Sequence, residues 1–108
     1  MTGSRPTMAS YHVVYWREIP SMVQARDGTR TVRLGLSPRF QELIDAVAMR
    51  DGLASTDQYL LQWRNGPRTD LPGSPDEVAR AVAEGLEAAY DALQQRLLSG
   101  TGAGSEGG

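Results

Sequence analysis

The chain has 108 residues with a formal charge of −2, 11 basic residues that are all Arg, one His and no Cys. Such a length suits one domain with a modest core, and the missing cysteines exclude a disulfide framework, a thiolate nucleophile and a Cys-based zinc site. No stretch approaches the roughly 20 apolar residues of a membrane span, the first ten residues lack the apolar run of a secretory signal, and a pI near 5.3 argues against a nucleic-acid binder. The expectation is a cytoplasmic protein with no membrane and no nucleic-acid partner. Its charge is nevertheless uneven, with seven Arg against four acids in residues 1–50 and four Arg against nine acids in 51–108.

Residues 1–10 are polar and aperiodic and read as a disordered leader. From Tyr11 both alternating faces are substantially apolar or aromatic, Tyr11, Val13 and Tyr15 on one side and His12, Val14 and Trp16 on the other. A strand of that kind is normally covered on both faces, by helices or by a partner. Pro20 lacks an amide donor and is expected to stop it. Ser21 to Arg26 is a weaker strand candidate, followed by Asp27-Gly28, a dipeptide suited to a tight hairpin turn. Val32, Leu34 and Leu36 then share one face of a half-buried strand.

Ser37-Pro38 opens a helix well, since a Ser hydroxyl can cap free amides and Pro at the first helical position loses no hydrogen bond. Phe40, Leu43, Ile44 and Val47 recur at helical spacing, and Asp51-Gly52 supplies the left-handed stop. Ser55 with Gln58 forms a capping-box pattern for a short helix through Arg64 that presents Tyr59, Leu60 and Trp63. Ser74-Pro75-Asp76-Glu77 is the strongest local signal, combining a cap, Pro at the first helical position and acids at the positive end of the helix dipole. Val78, Val82, Leu86, Ala89, Leu93 and Leu97 form a narrow apolar seam along the helix that follows, and Gly-rich residues 99–108 read as a flexible tail.

These readings combine into an α+β domain over residues 11–98. A small, mostly antiparallel sheet of two or three strands from residues 11–36 is covered by helices near 38–51, 56–64 and 75–98, the last one long.

The segment YHVVYWREIPSMVQARDG, followed by LSPRFQELIDAVAMRDGL and DQYLLQWR, resembles the short bacterial "virulence factor" domain family, which also occurs at the end of HEAT-repeat proteins named conserved virulence factor C. The resemblance runs from about Tyr11 to Arg64, and its most distinctive piece is Tyr15-Trp16-Arg17-Glu18-Ile19-Pro20. It implies no established reaction. It does imply an association of free-standing members with folate- and corrinoid-dependent methyl transfer.

The residues themselves offer no catalytic constellation, no metal-ligand spacing and no phosphate-cradling glycine loop, so no cofactor is expected. Trp16 and Trp63 suit either core packing or an aromatic anchor at a binding surface. With Arg17, Glu18 and Arg64 they form the candidate partner-binding set. The expected function is a non-enzymatic interaction module or accessory subunit, binding a protein partner or a second copy through the aromatic strand or the seam of residues 78–97. The alternative is a small enzyme or enzyme subunit that binds an anionic metabolite through Arg17, with Glu18 and His12 as acid-base groups, which requires those three side chains to converge.

Overall fold

A computed structural model describes residues 8–53 and 56–99. Five antiparallel strands form one sheet: β1 (Met8–Trp16), β2 (Ile19–Arg26), β3 (Thr31–Gly35), β4 (Trp63–Asn65) and β5 (Thr69–Pro72). The helices are α1 (Pro38–Arg50), α2 (Asp57–Leu61), α3 (Pro75–Ala88) and α4 (Tyr90–Gln94), with a π-helical segment over Gln95–Ser99. The α+β class stands, but the sheet is larger than its sequence periodicity implies.

The sheet order is β3-β2-β1-β4, and β5 also pairs with β1. Strand β1 is therefore central, with β2 along one edge and two short strands end to end along the other. The pairing of β4 opposite Val14–Trp16 and of β5 opposite Met8–Tyr11 makes them one edge strand interrupted at Gly66-Pro67. That interruption hid them in the sequence, because neither piece is long enough to show alternation and Pro removes a ladder donor. Met8 to Ser10, expected in a disordered leader, belong to β1 because β5 supplies their partners. Residues 1–7 and 100–108, the rest of the expected leader and the tail after Ser99, lie outside the described residues, as does Ser55.

Pro20 does not stop the strand. Arg17 and Glu18 make a two-residue turn between the paired Trp16 and Ile19, with Arg17 at φ 56, and β2 then runs through Pro20. The register slips between Val14 and Tyr15, leaving Ser21 as an extra residue on β2, while β3 reaches only to Met22. Pro20 thus sits beside a bulge and beyond β3, where its missing amide leaves no gap in the β2–β3 ladder. The β2–β3 loop is longer than a two-residue turn: the Asp27 carboxylate accepts from the amides of Thr29 and Arg30 at 2.8 and 2.9 Å.

Helix α1 starts at Ser37-Pro38 as expected, but Ser37 does not cap it. Its amide and hydroxyl instead donate to the Glu87 carboxylate at 2.6 and 2.8 Å, tying the start of α1 to the end of α3. Gly52, at φ 72, provides the left-handed residue after α1. Helix α2 ends at Leu61 rather than Arg64, and Trp63–Asn65 pass into β4. At Ser74 the capping box forms in full, a device worth about 1 kcal/mol.

The long C-terminal helix is broken. Ala89, still right-handed but distorted at φ −90, ψ 0, separates α3 from α4, and Gln95–Ser99 widen into π geometry. The seam advances roughly 3.8 residues per step against 3.6 per turn, so it winds around the helix axis. The packing follows that drift. Val78, Val82 and Leu86 meet the sheet residues Val13, Val23 and Ala25, whereas Tyr90, Leu93 and Leu97 join Trp16, Ile19, Phe40, Leu43, Ile44 and Val47. The seam docks on its own domain in two stages, one against the sheet and one against α1.

Candidate functional site

The strand pairings sort the sheet residues onto two faces. Ala9, Tyr11, Val13 and Tyr15 share one with Val23, Ala25, Val32, Leu34 and Leu71, and this is the face that α3 covers. Ser10, His12, Val14 and Trp16 occupy the other.

The hairpin end of the second face is closed by aromatic side chains. Trp16 is fully buried, its indole Nε1 donating to the Tyr59 carbonyl at 2.8 Å. Trp63 lies directly opposite Trp16 in the sheet, and Tyr59 contacts both, with ring centroids 5.5 Å from Trp16 and 6.2 Å from Trp63. The two tryptophans therefore serve the core, Trp63 with part of its ring exposed.

The charged members of the candidate set surround this corner without converging on one point. Arg17 reaches Asp51 at 2.5 Å, lies over the Trp16 ring, and donates its amide to the Gln62 carbonyl. Glu18 pairs instead with Arg96. Arg64 donates to the Arg17 carbonyl at 3.0 Å and stacks over Tyr15. His12 is in the middle of the sheet, opposite Gln24, four residues along β1 from Trp16. The convergence required for acid-base work by His12, Arg17 and Glu18 is not met.

Beside the Glu18–Arg96 pair lies a cleft of about 440 Å³, lined by Tyr15, Pro20, Leu86, Ala89, Ala92 and Leu93. It is apolar apart from that ion pair. Among the described residues no cluster of His, Asp and Glu could hold a metal ion, and no helix is long and apolar enough to cross a membrane.

Beyond Val14 the second face has a different character. Three rows of side chains cross it: Gly35, Met22, Val14 and Asn65; Arg33, Gln24 and His12, with Arg68 at the edge; then Thr31, Arg26, Ser10 and Asp70. Val14 and Met22 are half-buried, yet neither packs into either core cluster, and Met8 at the far end is 46 % exposed. Sequence alternation gives a two-sided apolar strand, but the described residues cover only one side of it here.

Electrostatics mark the same surface. Partial burial, then the guanidinium groups of Arg68 and Arg26, hold His12 below its usual pKa. Elsewhere hydrogen bonds from Arg50 and Arg17 hold the Asp51 carboxyl down to about 2. Burial alone would push Glu87 up, but Ser37 and Arg39 outweigh it and bring it below the usual range.

A two-part acid response follows. His12 charges less readily in the folded chain than at its reference pKa of 6.5, so its contribution to stability fades as pH falls from there. Asp51 and Glu87 are depressed carboxylates, so theirs is complete above the reference values of 3.8 and 4.5 and is lost as pH falls through the folded ones. Thermal melts from pH 8 to pH 2 should show both declines, with His12→Gln removing the first and Asp51→Asn reducing the second.

A comparison with curated proteins found no match, and neither did one with solved structures. The profile of the family described as "Virulence factor" matches residues 14–98, which extends the likeness past Arg64 through α3, α4 and the π-helical segment, and the chain belongs to that family.

Proposed function

We propose that this domain is a non-enzymatic interaction module, an accessory subunit that docks on a protein partner through the open sheet face. One observation carries the reading: a four-stranded surface with half-buried Val14 and Met22 at its centre lies outside both core clusters, while the opposite face of the same strands is packed by α3. Apolar side chains left at a sheet centre gain free energy when a second layer covers them. The separation of His12, Arg17 and Glu18 supports the same reading against an enzymatic one. Trp16 is not part of the docking surface, and Arg17, Glu18 and Arg64 act at its neighbouring corner. The link to folate- and corrinoid-dependent methyl transfer that the resemblance implies for free-standing members makes a protein of that chemistry the first partner to test.

Affinity purification of the tagged chain from its native host, with mass by light scattering, is the direct test. A stoichiometric partner is expected, and Val14→Asp with Met22→Asp should release it while leaving the circular dichroism spectrum unchanged. A chain that runs alone, or a partner indifferent to both substitutions, would overturn the reading.

A further inference from the structure

The arginines of the open face differ from most others in the molecule. Arg17, Arg30, Arg39, Arg50 and Arg96 each pair with a carboxylate. Arg64 is held by a backbone carbonyl and the Tyr15 ring. Arg26, Arg33 and Arg68 form no ion pair among the described residues, and Arg33 makes only a neutral bond to Gln24 at 3.1 Å. All three are exposed, and they lie at the open face or on its edge, around His12, Val14 and Met22. Asp70 is the one carboxylate that the pairings place on this face.

Resting on the interaction-module reading, we infer that the open face receives an acidic amphipathic helix of a partner protein, its apolar stripe over Val14 and Met22 and its carboxylates against Arg26, Arg33 and Arg68. Unpaired guanidinium groups around an apolar centre favour an occupant carrying both features, because planar donors bind carboxylates in bidentate fashion and the centre requires desolvation. A helix fits better than a strand, since the surface is a sheet face whose backbone groups are already bonded within the ladder.

The chain's own helices are poor occupants. The apolar stripes of α1 and α3 are spent on the two core clusters. Helix α2 exposes Leu60 and Leu61 but has five residues and one acid. Single-stranded nucleic acid is disfavoured because, among the described residues, no Phe, Tyr or Trp lies on the face beyond the Trp16–Trp63 row to stack a base.

The test titrates the full ¹⁵N-labelled chain with a synthetic helical peptide bearing a Leu stripe flanked by Glu. A Gln-for-Glu version and an oligo-dT strand run in parallel. Amide shifts are expected at His12, Val14, Met22, Gln24 and Arg33, with the Gln peptide at least tenfold weaker. The combined Arg26→Glu, Arg33→Glu and Arg68→Glu variant should lose at least tenfold, whereas Arg80→Glu on α3 should match the unsubstituted chain. His12 gives an independent readout, because carboxylates placed above it should raise its pKa toward or past the reference value.

Equal binding of the Gln peptide, tighter binding of oligo-dT, shifts confined to the α3–α4 side, or a homodimer that buries this face would each overturn the inference. A native partner that depends on Val14 and Met22 but survives the three charge reversals would leave the module reading standing and remove the acidic helix. Loss of any partner would remove the module reading first.

Discussion

Trp16→Ala is expected to cost about 3–5 kcal/mol, the range for deleting a large aromatic side chain from a core. A domain of this size has roughly 5–15 kcal/mol in all, so a large part of its margin would go. The indole is fully buried, donates to the Tyr59 carbonyl, and packs with Ile19 and the apolar face of α1. Its removal leaves a cavity where β1, α1 and α2 meet, and leaves the Tyr59 carbonyl with only the Gln62 amide at 3.3 Å as donor. In urea, with a slope of about 1–3 kcal/mol per molar, the unfolding midpoint should fall by roughly 2 M. Trp16→Phe keeps much of the volume but no donor, so a drop of about 1–2 kcal/mol is expected. A Trp16→Ala variant as stable as the unsubstituted chain would contradict the core role of this side chain.

Gly66→Ala should be the next largest loss, about 1–3 kcal/mol from overpacking. A Cβ built at Gly66 would stand 2.8 Å from Tyr15 Cε2 and 3.2 Å from the Val13 carbonyl oxygen. Neither neighbour yields easily. The Gly66 amide already donates to Val13 at 2.8 Å, which fixes the backbone, and Arg64 lies 4.6 Å from the Tyr15 ring centroid, which restrains the ring. A double-mutant cycle checks the cause: in a Tyr15→Leu background the Gly66→Ala penalty should shrink, whereas equal penalties in both backgrounds would point away from this contact.

The parts of the fold legible in the sequence are those with strong local chemistry. Tyr11 to Trp16 formed a strand, Phe40, Leu43, Ile44 and Val47 formed the buried face of α1, and Ser74 with Glu77 formed the capping box. What escaped depended on pairing. Met8 to Ser10 look like leader until β5 pairs with them, and Trp63 and Arg64 look helical until β1 takes them as an edge strand. Pro20 reads as a stop unless one knows that β3 does not reach it.

The candidate site was legible only in part. In sequence Trp16 and Trp63 suit either core or anchor, and the structure puts them in the aromatic plug at the hairpin end. Arg17 and Glu18 adjoin Trp16 in sequence and Arg64 adjoins Trp63; the fold pairs Arg17 with Asp51 and Glu18 with Arg96, and brings Arg64 onto the Arg17 carbonyl. Arg26, Arg33 and Arg68 carried no signal at all, being spread over 43 positions and three local contexts. Only the register Ser10↔Arg26, His12↔Gln24 and Gln24↔Arg33 gathers the first two, and the Arg68 charge felt by His12 adds the third. One sign was available: the strand had apolar residues on both faces, and such a strand awaits a second cover.

The central claim, that the open sheet face is the docking face, is tested most directly by placing a photo-crosslinking residue at Gln24 and, separately, at Glu84 on α3, and irradiating cells of the native host. Crosslinking of a defined protein from position 24 and none from position 84 is the predicted result. Crosslinks from position 84 alone would place the partner on the helical side and contradict the account.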